Sequence, residues 1–385
     1  MEFEYKNKLI QLNDFTRDYK VINKENRHLL KQSINTIEIN DINSYIEYAK
    51  KINSFNNVYY NITKRCNLKC SYCYSEHNES YVSLDQNKII LNKLGELNTK
   101  TITLIGGEPF CHPYFYDLLE SIKKKESISE ICIVTNGTLI DNKRIEAFKD
   151  KRIFMQISLD GINEETNALT RGIGTFEKVA NNFAILKENK IKFKIMKVIT
   201  RENIDFSQEF YSYYKKHGIE TGFFMVKQVP ENLKPTNEQI VSLLDYIYIN
   251  EDKNIDRVFD IVKFADNMMF DKNGFPITHC GAGINALSVN PNGDTFPCVK
   301  KSQHDDLITN IFNEEAIEKI KINRLHILEK ELVMQKEFCN NCTIKFFCGG
   351  GCRAEESNKI PCEYNCTYFK LALEYFCKKV CEGIV

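Results

Sequence analysis

The chain of 385 residues has no excess of charge of either sign, because 52 lysines and arginines balance 52 aspartates and glutamates. Without a net field, the sequence gives no reason to expect binding to nucleic acid or to an anionic membrane. It also lacks any uncharged apolar run near the roughly 20 residues that span a bilayer. Charges interrupt the first residues, MEFEYKNKLIQLNDF, where a signal peptide would be apolar. These absences predict a cytoplasmic protein.

Cysteine, in contrast, is abundant, with 15 in the chain. Disulfides are rare in a reducing cytoplasm, so metal ligation is the better explanation for this number. Three of the cysteines, Cys66, Cys70 and Cys73, stand within the stretch CNLKCSYCY, and most of the others follow residue 279. The sequence therefore predicts at least two separate metal-binding regions.

Between residues 57 and 250, short apolar segments alternate with amphipathic helical segments six times. This alternation predicts a parallel sheet with right-handed crossovers, and the nearly continuous apolar strands indicate that both faces are covered. Polar or glycine-containing signatures end four of these strands, namely KRCNLKC, GGEP, TNG and SLDG. In barrels and open α/β sheets, this edge carries the chemistry.

The last part of the chain has a different character. It contains turn-forming stretches such as NPNGD and CGGGC and little strand alternation beyond ALSVN. A small domain held together by metal clusters is the natural expectation. The predicted domains are an N-terminal extension at 1–56, an α/β domain at 57–250, a bridge at 251–279 and a cluster-binding domain at 280–385.

The three closely spaced cysteines are one ligand short of a tetrahedral zinc site. A cubane 4Fe–4S cluster takes one thiolate at each of its four iron corners. Three thiols on one loop would hold three corners and leave the fourth open to the amino and carboxylate groups of an amino acid. The alternative is a zinc site completed by His77, although zinc ligands usually come as short two-cysteine pairs.

The stretch CNLKCSYCY resembles the Cys-x3-Cys-x-aromatic-Cys signature of radical S-adenosylmethionine (SAM) enzymes. The other strand-end signatures resemble that family's SAM-binding motifs in the same order: GGEP receives the methionine amino group, TNG lies near the ribose, and SLDG with a later arginine holds the methionine carboxylate. The resemblance implies cluster ligands Cys66, Cys70 and Cys73 and SAM-binding residues Tyr72, Gly106, Gly107, Glu108, Pro109, Asn136, Ser158, Asp160 and Arg171.

The same resemblance implies a fold and a reaction. The fold is a partial (β/α)6 barrel of the TIM type. In the family, an electron from the reduced cluster breaks a carbon–sulfur bond of SAM, and the 5′-deoxyadenosyl radical abstracts hydrogen from the substrate. An external one-electron reductant such as flavodoxin or ferredoxin is then expected as a partner. Glycines that allow close approach, a carboxylate for an ammonium and a guanidinium for a carboxylate are chemically suited to SAM.

The later cysteines resemble the SPASM extension, which binds two auxiliary 4Fe–4S clusters through eight thiolates. The resemblance implies three clusters in all, with Cys280, Cys298, Cys352 and Cys362 for auxiliary cluster I and Cys339, Cys342, Cys348 and Cys366 for auxiliary cluster II. The alternative is a four-cysteine zinc site made of Cys339, Cys342, Cys348 and Cys352. Four cysteines, Cys111, Cys132, Cys377 and Cys381, are left over from the three clusters. Of these, Cys132, Cys377 and Cys381 are expected to pack in the core.

SPASM enzymes act mostly on peptides or proteins. In the sulfatase-maturating branch, an aspartate follows the second auxiliary cysteine, where this chain has Val299, and an extra cysteine lies where this chain has none between 280 and 298. These departures favour modification of a ribosomally made precursor peptide, by a thioether or carbon–carbon crosslink. The alternatives are a peptide epimerase, formylglycine formation, and an electron-transfer protein without SAM cleavage. Residues 1–56 are expected to contact the substrate or its leader.

Overall fold

The computed structural model describes residues 2–12, 19–29, 43–44, 46–47, 50–250, 280–356 and 363–382. Contacts group the chain into two compact units, one of Met1–Lys51, Pro235–Gly281 and His326–Val385, the other of Ile52–Lys234 and Ala282–Leu325. The predicted bridge at 251–279 and the predicted ligand Cys362 lie outside the described residues. The domain boundaries drawn from the sequence stay a prediction, because the units group packed residues rather than consecutive segments.

The first unit begins with a three-stranded antiparallel sheet. Its strands are β1 (Glu2–Tyr5), β2 (Lys8–Leu12) and β3 (Tyr19–Asn23), with β2 in the middle. Leu9 and Ile10 of β2 are fully buried. A 3-10 helix at Lys24–Leu29 follows the last strand.

The second unit is built on six parallel strands. They are β4 (Asn57–Thr63), β5 (Thr101–Gly106), β6 (Glu130–Thr135), β7 (Ile153–Ser158), β8 (Phe193–Ile199) and β9 (Thr221–Met225), paired side by side in chain order. Apolar side chains such as those of Val58, Ile102 and Ile131 are in register on neighbouring strands and are fully buried. The predicted parallel α/β sheet is confirmed.

Three short strands extend this sheet beyond β4. Strand β10 (Ala286–Val289) runs parallel to β4, and β11 (Asp294–Phe296) and β12 (Thr309–Asn310) follow antiparallel, which completes a sheet of nine strands. The turn between β10 and β11 needs Gly293, whose φ is +87° and whose added Cβ would lie 2.5 Å from the Phe312 ring. The segment ALSVN is thus a sheet strand.

Helices follow most of the strands of the second unit. The first helix begins with a capping box, in which Ser83 and Gln86 each accept a hydrogen bond from the other's backbone. The α-helices are α1 (Leu84–Glu96), α2 (Phe115–Lys123), α3 (Glu164–Arg171), α4 (Phe176–Glu188) and α5 (Ser207–Lys216). The 3-10 helices are Pro109–Cys111, Asn142–Phe148, Ile204–Phe206, Glu231–Leu233 and His304–Asp306.

The remaining helices lie later in the chain. They are α6 (Asn237–Asn250), α7 (Ala316–Lys330), α8 (Lys345–Cys348) and α9 (Glu363–Cys381), with 3-10 helices at Val333–Gln335, Glu337–Cys339 and Arg353–Glu355. In the first unit, Leu332, Val333, Cys339 and Phe346 form one buried apolar cluster. None of the helices in the described part of the chain has the length and apolar character that a membrane crossing requires.

Candidate functional site

The loop that follows β4 carries the three closely spaced cysteines. The Leu68 backbone N–H donates to Cys66 Sγ at 3.4 Å, and the Cys73 N–H donates to the carbonyl of Cys70 at 3.1 Å. His77 Nε2 lies 3.6 Å from Cys73 Sγ. Burial raises the pKa of Cys66 to about 11 and also raises that of Cys70. A metal must therefore displace the thiol protons when it binds here.

The two glycines of GGEP lie against the backbone of this cysteine loop. The Gly107 N–H donates to the carbonyl of Thr63 at 2.8 Å, and the Glu108 N–H donates to that of Arg65 at 2.7 Å. A Cβ added at Gly106 would lie 2.5 Å from the Thr63 oxygen, and one at Gly107 would lie 2.3 Å from the Arg65 oxygen. Only glycine fits at either position, so GGEP packs directly on the loop that carries the thiols.

The Glu108 side chain ties GGEP to the end of β6. It is 1% exposed, and its carboxylate accepts hydrogen bonds from Thr135 Oγ1 at 2.7 Å, from the Asn136 N–H at 2.7 Å and from the Phe110 N–H at 3.2 Å. Burial raises the pKa of Glu108 to about 7, although these hydrogen bonds oppose the shift. Pro109 follows as the buried first residue of a 3-10 helix. The predicted role of Glu108 toward an ammonium stays a prediction.

Asn136, in the TNG signature, lies beside the cysteine loop. Its Nδ2 donates to Asn67 Oδ1 at 2.9 Å, and its Oδ1 accepts from Thr138 Oγ1 at 2.7 Å. The Asn136 side chain is 8% exposed. The end of the third parallel strand is thus connected to the residue that directly follows Cys66.

The SLDG signature follows β7 and places Asp160 and Arg171 in a buried pair. Arg171 Nε lies 2.9 Å from Asp160 Oδ2, and Asp160 also accepts from the hydroxyl groups of Tyr72 at 2.8 Å and Thr170 at 2.7 Å. Burial lowers the pKa of Arg171, but the Asp160 carboxylate outweighs it, and the net shift is upward. The guanidinium lies 5.6 Å from the centre of the Tyr72 ring. Arg171 therefore stays charged at this end of the sheet.

The structure thus brings several of the predicted SAM-binding residues to one edge of the sheet. Tyr72 of the cysteine loop contacts Asp160 and Arg171, and the Ser71 N–H donates to the carbonyl of Thr170 at 2.9 Å. Ser158 is the last residue of β7 and is partly exposed. Because parallel strands end at one edge, their signatures meet where the sequence predicts.

Two contributors to this edge escaped the sequence analysis. The sequence motifs assign no role to Asn67 or to Thr170, yet each bonds to a predicted site residue. The signal for Asn67 is a short polar side chain directly after a candidate ligand. Thr170 gives no such signal, because a threonine within a helix is ordinary and its partner Asp160 lies ten residues away.

In the first unit, four of the predicted ligands of auxiliary cluster II lie near one another. Burial raises the pKa of Cys339 and raises that of Cys348 to about 12, and the neighbouring charge of Cys366 adds to both shifts. Cys342 adds to the shift of Cys339. The backbone N–H groups of Gly350 and Gly351 act in the opposite direction by donating to Cys348. Hydrogen bonds of this kind stabilise a thiolate, as a cluster ligand requires.

The glycines of CGGGC have backbone conformations that few other residues adopt. Gly349, Gly350 and Gly351 have φ of +66°, +89° and +76°. Backbone N–H groups in a tight turn can point together at an anion, and here those of Gly350 and Gly351 donate to Cys348. This geometry fits a thiolate or cluster sulfur beside Cys348 better than it fits a neutral thiol.

The predicted ligands of auxiliary cluster I are divided between the two units. Cys280 falls in the first unit and Cys298 in the second, while Cys362 lies outside the described residues. Cys298 Sγ accepts from the Lys301 N–H at 3.4 Å, and Cys352 is buried in the first unit. This ligand set stays a prediction.

Within the described residues, no three histidine, cysteine, aspartate or glutamate side chains converge on a single metal ion. The thiolates of a cubane cluster do not have to converge on one metal ion, because each thiolate binds a different iron atom. Cys132, Cys377 and Cys381 are buried, as the sequence predicted for core residues.

Residues 60–213 match the family model of the radical SAM superfamily. The GTP 3′,8-cyclase of Clostridium perfringens (strain SM101 / Type A) is 30% identical over 193 residues, 48% of this chain and 60% of that protein. The matched region therefore spans less than two thirds of that relative. The antilisterial bacteriocin subtilosin biosynthesis protein AlbA of Bacillus subtilis (strain 168) is 25% identical over 333 residues, 81% of this chain and 70% of that protein.

Two solved structures share the fold over most of the chain. The anSMEcpe structure with bound AdoMet has a TM-score of 0.68 and 19% identity, and the match covers 85% of this chain and 94% of that one. Streptococcus suis SuiB bound to precursor peptide SuiA has a TM-score of 0.64 and 16% identity, with coverage of 94% and 99%.

The chain therefore carries a radical SAM domain over residues 60–213. The resemblance stated from the cysteine and glycine motifs is confirmed, and so is the α/β fold of the partial-barrel type. Proteins of this class are enzymes that use SAM and an iron–sulfur cluster.

Proposed function

We propose that this protein is a radical SAM enzyme that modifies a ribosomally made precursor peptide and forms a thioether or carbon–carbon crosslink in it. The single observation that carries the proposal is the meeting of CNLKCSYCY, GGEP, TNG and SLDG with Arg171 at one edge of the parallel sheet. An electron-transfer protein would have no use for this arrangement beside its cluster.

The residues of the cysteine loop fit a cluster with one open corner. Cys66, Cys70 and Cys73 would hold three irons, and when bound, the cluster and SAM supply the 5′-deoxyadenosyl radical that abstracts hydrogen from the substrate. Gly106 and Gly107 let the backbone of GGEP lie beside the loop. SAM would then bind between GGEP and the end of β7.

The buried pair of Asp160 and Arg171 would lie on the β7 side of bound SAM. Asp160 has no exposed surface. It accepts hydrogen bonds from Tyr72 and Thr170 and forms an ion pair with Arg171. These contacts fix the guanidinium, so it would meet the methionine carboxylate without losing much conformational freedom on binding. Ser158 would contribute a hydroxyl to the same carboxylate.

The peptide substrate is supported by two of the similar proteins. AlbA is a bacteriocin biosynthesis protein, and SuiB has been solved with a precursor peptide. The sulfatase-maturase-like alternative is less well supported, because this chain has Val299 where that branch has its base. Formylglycine formation and α-carbon epimerisation remain the competing reactions.

Further cofactors and partners belong to the same proposal. Two auxiliary 4Fe–4S clusters, held by the cysteines named above, would accept the electron of the product radical, since crosslinking removes two electrons from the peptide. A flavodoxin or ferredoxin in the cytoplasm would reduce the first cluster. The three-stranded sheet of β1, β2 and β3 would contact the precursor peptide or its leader, because outer strand β3 pairs only with β2 among the described strands.

The test of the proposed reaction is co-expression with the short reading frames that neighbour the gene, followed by mass spectrometry of each peptide. A loss of two hydrogens with a fragmentation gap between two residues supports a crosslink. An unchanged mass with deuterium uptake from solvent indicates epimerisation instead. If every neighbouring peptide stays unmodified while the clusters are intact, the peptide-maturase proposal is contradicted.

A further inference from the structure

Three side chains form a closed ring of hydrogen bonds between the cysteine loop and the end of β6. Asn67 Nδ2 donates to Thr138 Oγ1 at 2.8 Å, Thr138 Oγ1 donates to Asn136 Oδ1 at 2.7 Å, and Asn136 Nδ2 donates to Asn67 Oδ1 at 2.9 Å. Each member donates once and accepts once within the ring. The ring therefore fixes both amide orientations and the direction of the hydroxyl hydrogen.

The β6 side of the ring is held rigidly. The turn at Gly137, with φ of +72°, brings Thr138 back toward Asn136, and an added Cβ there would lie 2.8 Å from Ile157. Asn182 of α4 donates to the Gly137 carbonyl at 2.8 Å. On the other side, the Asn136 N–H donates to Glu108 at 2.7 Å. Two of the ring's three members thus belong to a fixed turn.

The third member belongs to the loop that carries the thiols. Asn67 is exposed and directly follows Cys66, and its Oδ1 also lies 3.9 Å from Cys111 Sγ. An exposed loop residue held by two side-chain hydrogen bonds loses freedom that the chain would otherwise keep. The position of Cys66 is thereby linked to the turn that follows β6.

We infer that Asn67, Asn136 and Thr138 act as positioning residues: their ring holds the cysteine loop in register with the SAM pocket, so that the open corner of the cluster meets the methionine end of SAM. This inference rests on the proposed function. The ring uses one of the two N–H groups of Asn136, so a contact between that residue and SAM is compatible with it.

The experiment compares Thr138→Val, which removes the hydroxyl at nearly constant volume, with Thr138→Ser, which keeps it. Both are made in the full chain, reconstituted anaerobically with iron and sulfide. Loss of the ring should raise the hydrogen-exchange rate of amides 66–73 about tenfold in Thr138→Val, since one or two hydrogen bonds then no longer oppose local opening. Thr138→Ser should match the parent within about twofold by the same reasoning.

The second readout is 5′-deoxyadenosine formation at saturating SAM with dithionite. Thr138→Val should slow it about tenfold, because a small misplacement of reacting groups costs at least that much. The EPR spectrum of the reduced cluster without SAM should stay unchanged, while the change caused by added SAM should shrink. Thr138→Ser should retain both the rate and the spectral change.

Asn67→Ala and the double variant Asn67→Ala/Thr138→Val test whether the residues act as one unit. If they do, amides 66–73 of the double variant should exchange no faster than those of the more strongly affected single variant. The double variant should also form 5′-deoxyadenosine no more slowly than that single variant. Additive losses would overturn the inference, and so would equal exchange rates in Thr138→Val and Thr138→Ser. Iron loss in either Thr138 variant would contradict the inference, because the ring is inferred to position a cluster that stays intact. If Thr138→Val does not fold, Asn67→Ala against the parent gives the same comparison.

A failure of the proposed function gives a different result. If the parent forms no 5′-deoxyadenosine while its clusters are intact, SAM cleavage is contradicted. The exchange rates of amides 66–73 would still decide whether the ring holds the loop.

Discussion

The buried Glu108 carboxylate connects the ends of two strands, and its contribution to the stability of the fold depends on pH. Its carboxylate is 1% exposed, and burial raises its pKa from 4.5 to about 7. Between these two values the folded protein holds a proton that the unfolded chain has already lost. Stability from this group is therefore complete below pH 4.5 and falls as the pH rises toward 7, because the unfolded state is then the better acid.

The variant Glu108→Gln should remove this pH dependence. Between pH 4.5 and 7.5, the free energy of unfolding of the parent should fall on the order of 3 kcal/mol more than that of the variant, which cannot ionise. Urea unfolding of the full chain before cluster reconstitution measures this difference. Equal slopes for parent and variant would show that Glu108 titrates normally in the folded protein.

The buried pair of Asp160 and Arg171 is a second case in which individual residues determine the stability and geometry of the site. Both are buried, with 0% and 6% of their side chains exposed. Asp160→Asn should lower the free energy of unfolding by about 3 kcal/mol or more, since it leaves the Arg171 charge buried without its partner. It should also raise the KM for SAM, because the guanidinium is no longer held in place.

Thermal unfolding and initial rates over a range of SAM concentrations measure the two effects of Asp160→Asn. Asp306→Asn is the matched control, because Asp306 pairs with Lys301 at 2.7 Å but in a more exposed pair. The control should change stability by less than about 1 kcal/mol. Unchanged stability in Asp160→Asn would contradict the buried pair.

At the scale of elements, the CGGGC turn is supported by a buried lysine. Lys336 Nζ donates to the Gly350 carbonyl at 3.2 Å and pairs with Glu356. The two side chains are 4% and 13% exposed. The segment that precedes Cys339 and the segment that follows Cys352 are thus joined across the turn.

Removal of one partner of this pair should loosen the turn. Glu356→Gln should lower the free energy of unfolding by about 3 kcal/mol, because the Lys336 ammonium stays buried without a counter-charge. Glu315→Gln, which breaks the exposed pair with Lys319, should cost less than about 0.5 kcal/mol. Denaturant titration compares the two, and equal small effects would show that the pair does not stabilise the turn.

Sequence periodicity predicted the parallel strands but not the whole sheet. The six apolar strands were predicted because each is followed by a helical segment, which is a local pattern. Strands β10, β11 and β12 extend the sheet at β4 through a pairing more than 200 residues apart in sequence, such as Ser288 with Tyr59. Local patterns carry no information on such partners, so the sequence indicates ALSVN as strand-like but does not assign any of the three strands to this sheet.

In the candidate site, too, local patterns predict some features, and contacts between distant residues determine the others. The spacing of Cys66, Cys70 and Cys73 indicates a cluster loop, and the glycines of GGEP are assigned through the resemblance to the SAM-binding motif of the family. The buried role of Asp160, held by Tyr72, Thr170 and Arg171, depends on side chains that only folding brings together. The SLDG motif indicated where this carboxylate lies but not which groups it holds.

At the scale of the whole molecule, the number of clusters distinguishes the proposals. Three cubane clusters predict roughly 12 iron atoms per chain, whereas a SAM cluster alone predicts roughly 4. Iron and sulfide analysis of the anaerobically reconstituted chain measures this number. A value near 4 together with tightly bound zinc would contradict both auxiliary clusters and favour a four-cysteine zinc site.

Cys348→Ala separates the auxiliary clusters from the SAM cluster. The variant should lose roughly 4 iron atoms and stop forming the modified peptide, while it still produces 5′-deoxyadenosine. Peptide modification at the parent's rate would contradict an auxiliary role for Cys348.

The most direct test of the central claim is 5′-deoxyadenosine formation by the reconstituted parent and by Cys70→Ala, with SAM and dithionite under anaerobic conditions. The parent should convert SAM to 5′-deoxyadenosine and methionine. Cys70→Ala should form none above background, because the loop then holds at most two of the three iron corners. If the parent with intact clusters forms no 5′-deoxyadenosine, or if Cys70→Ala forms it at the parent's rate, the loop CNLKCSYCY does not hold the cluster that cleaves SAM.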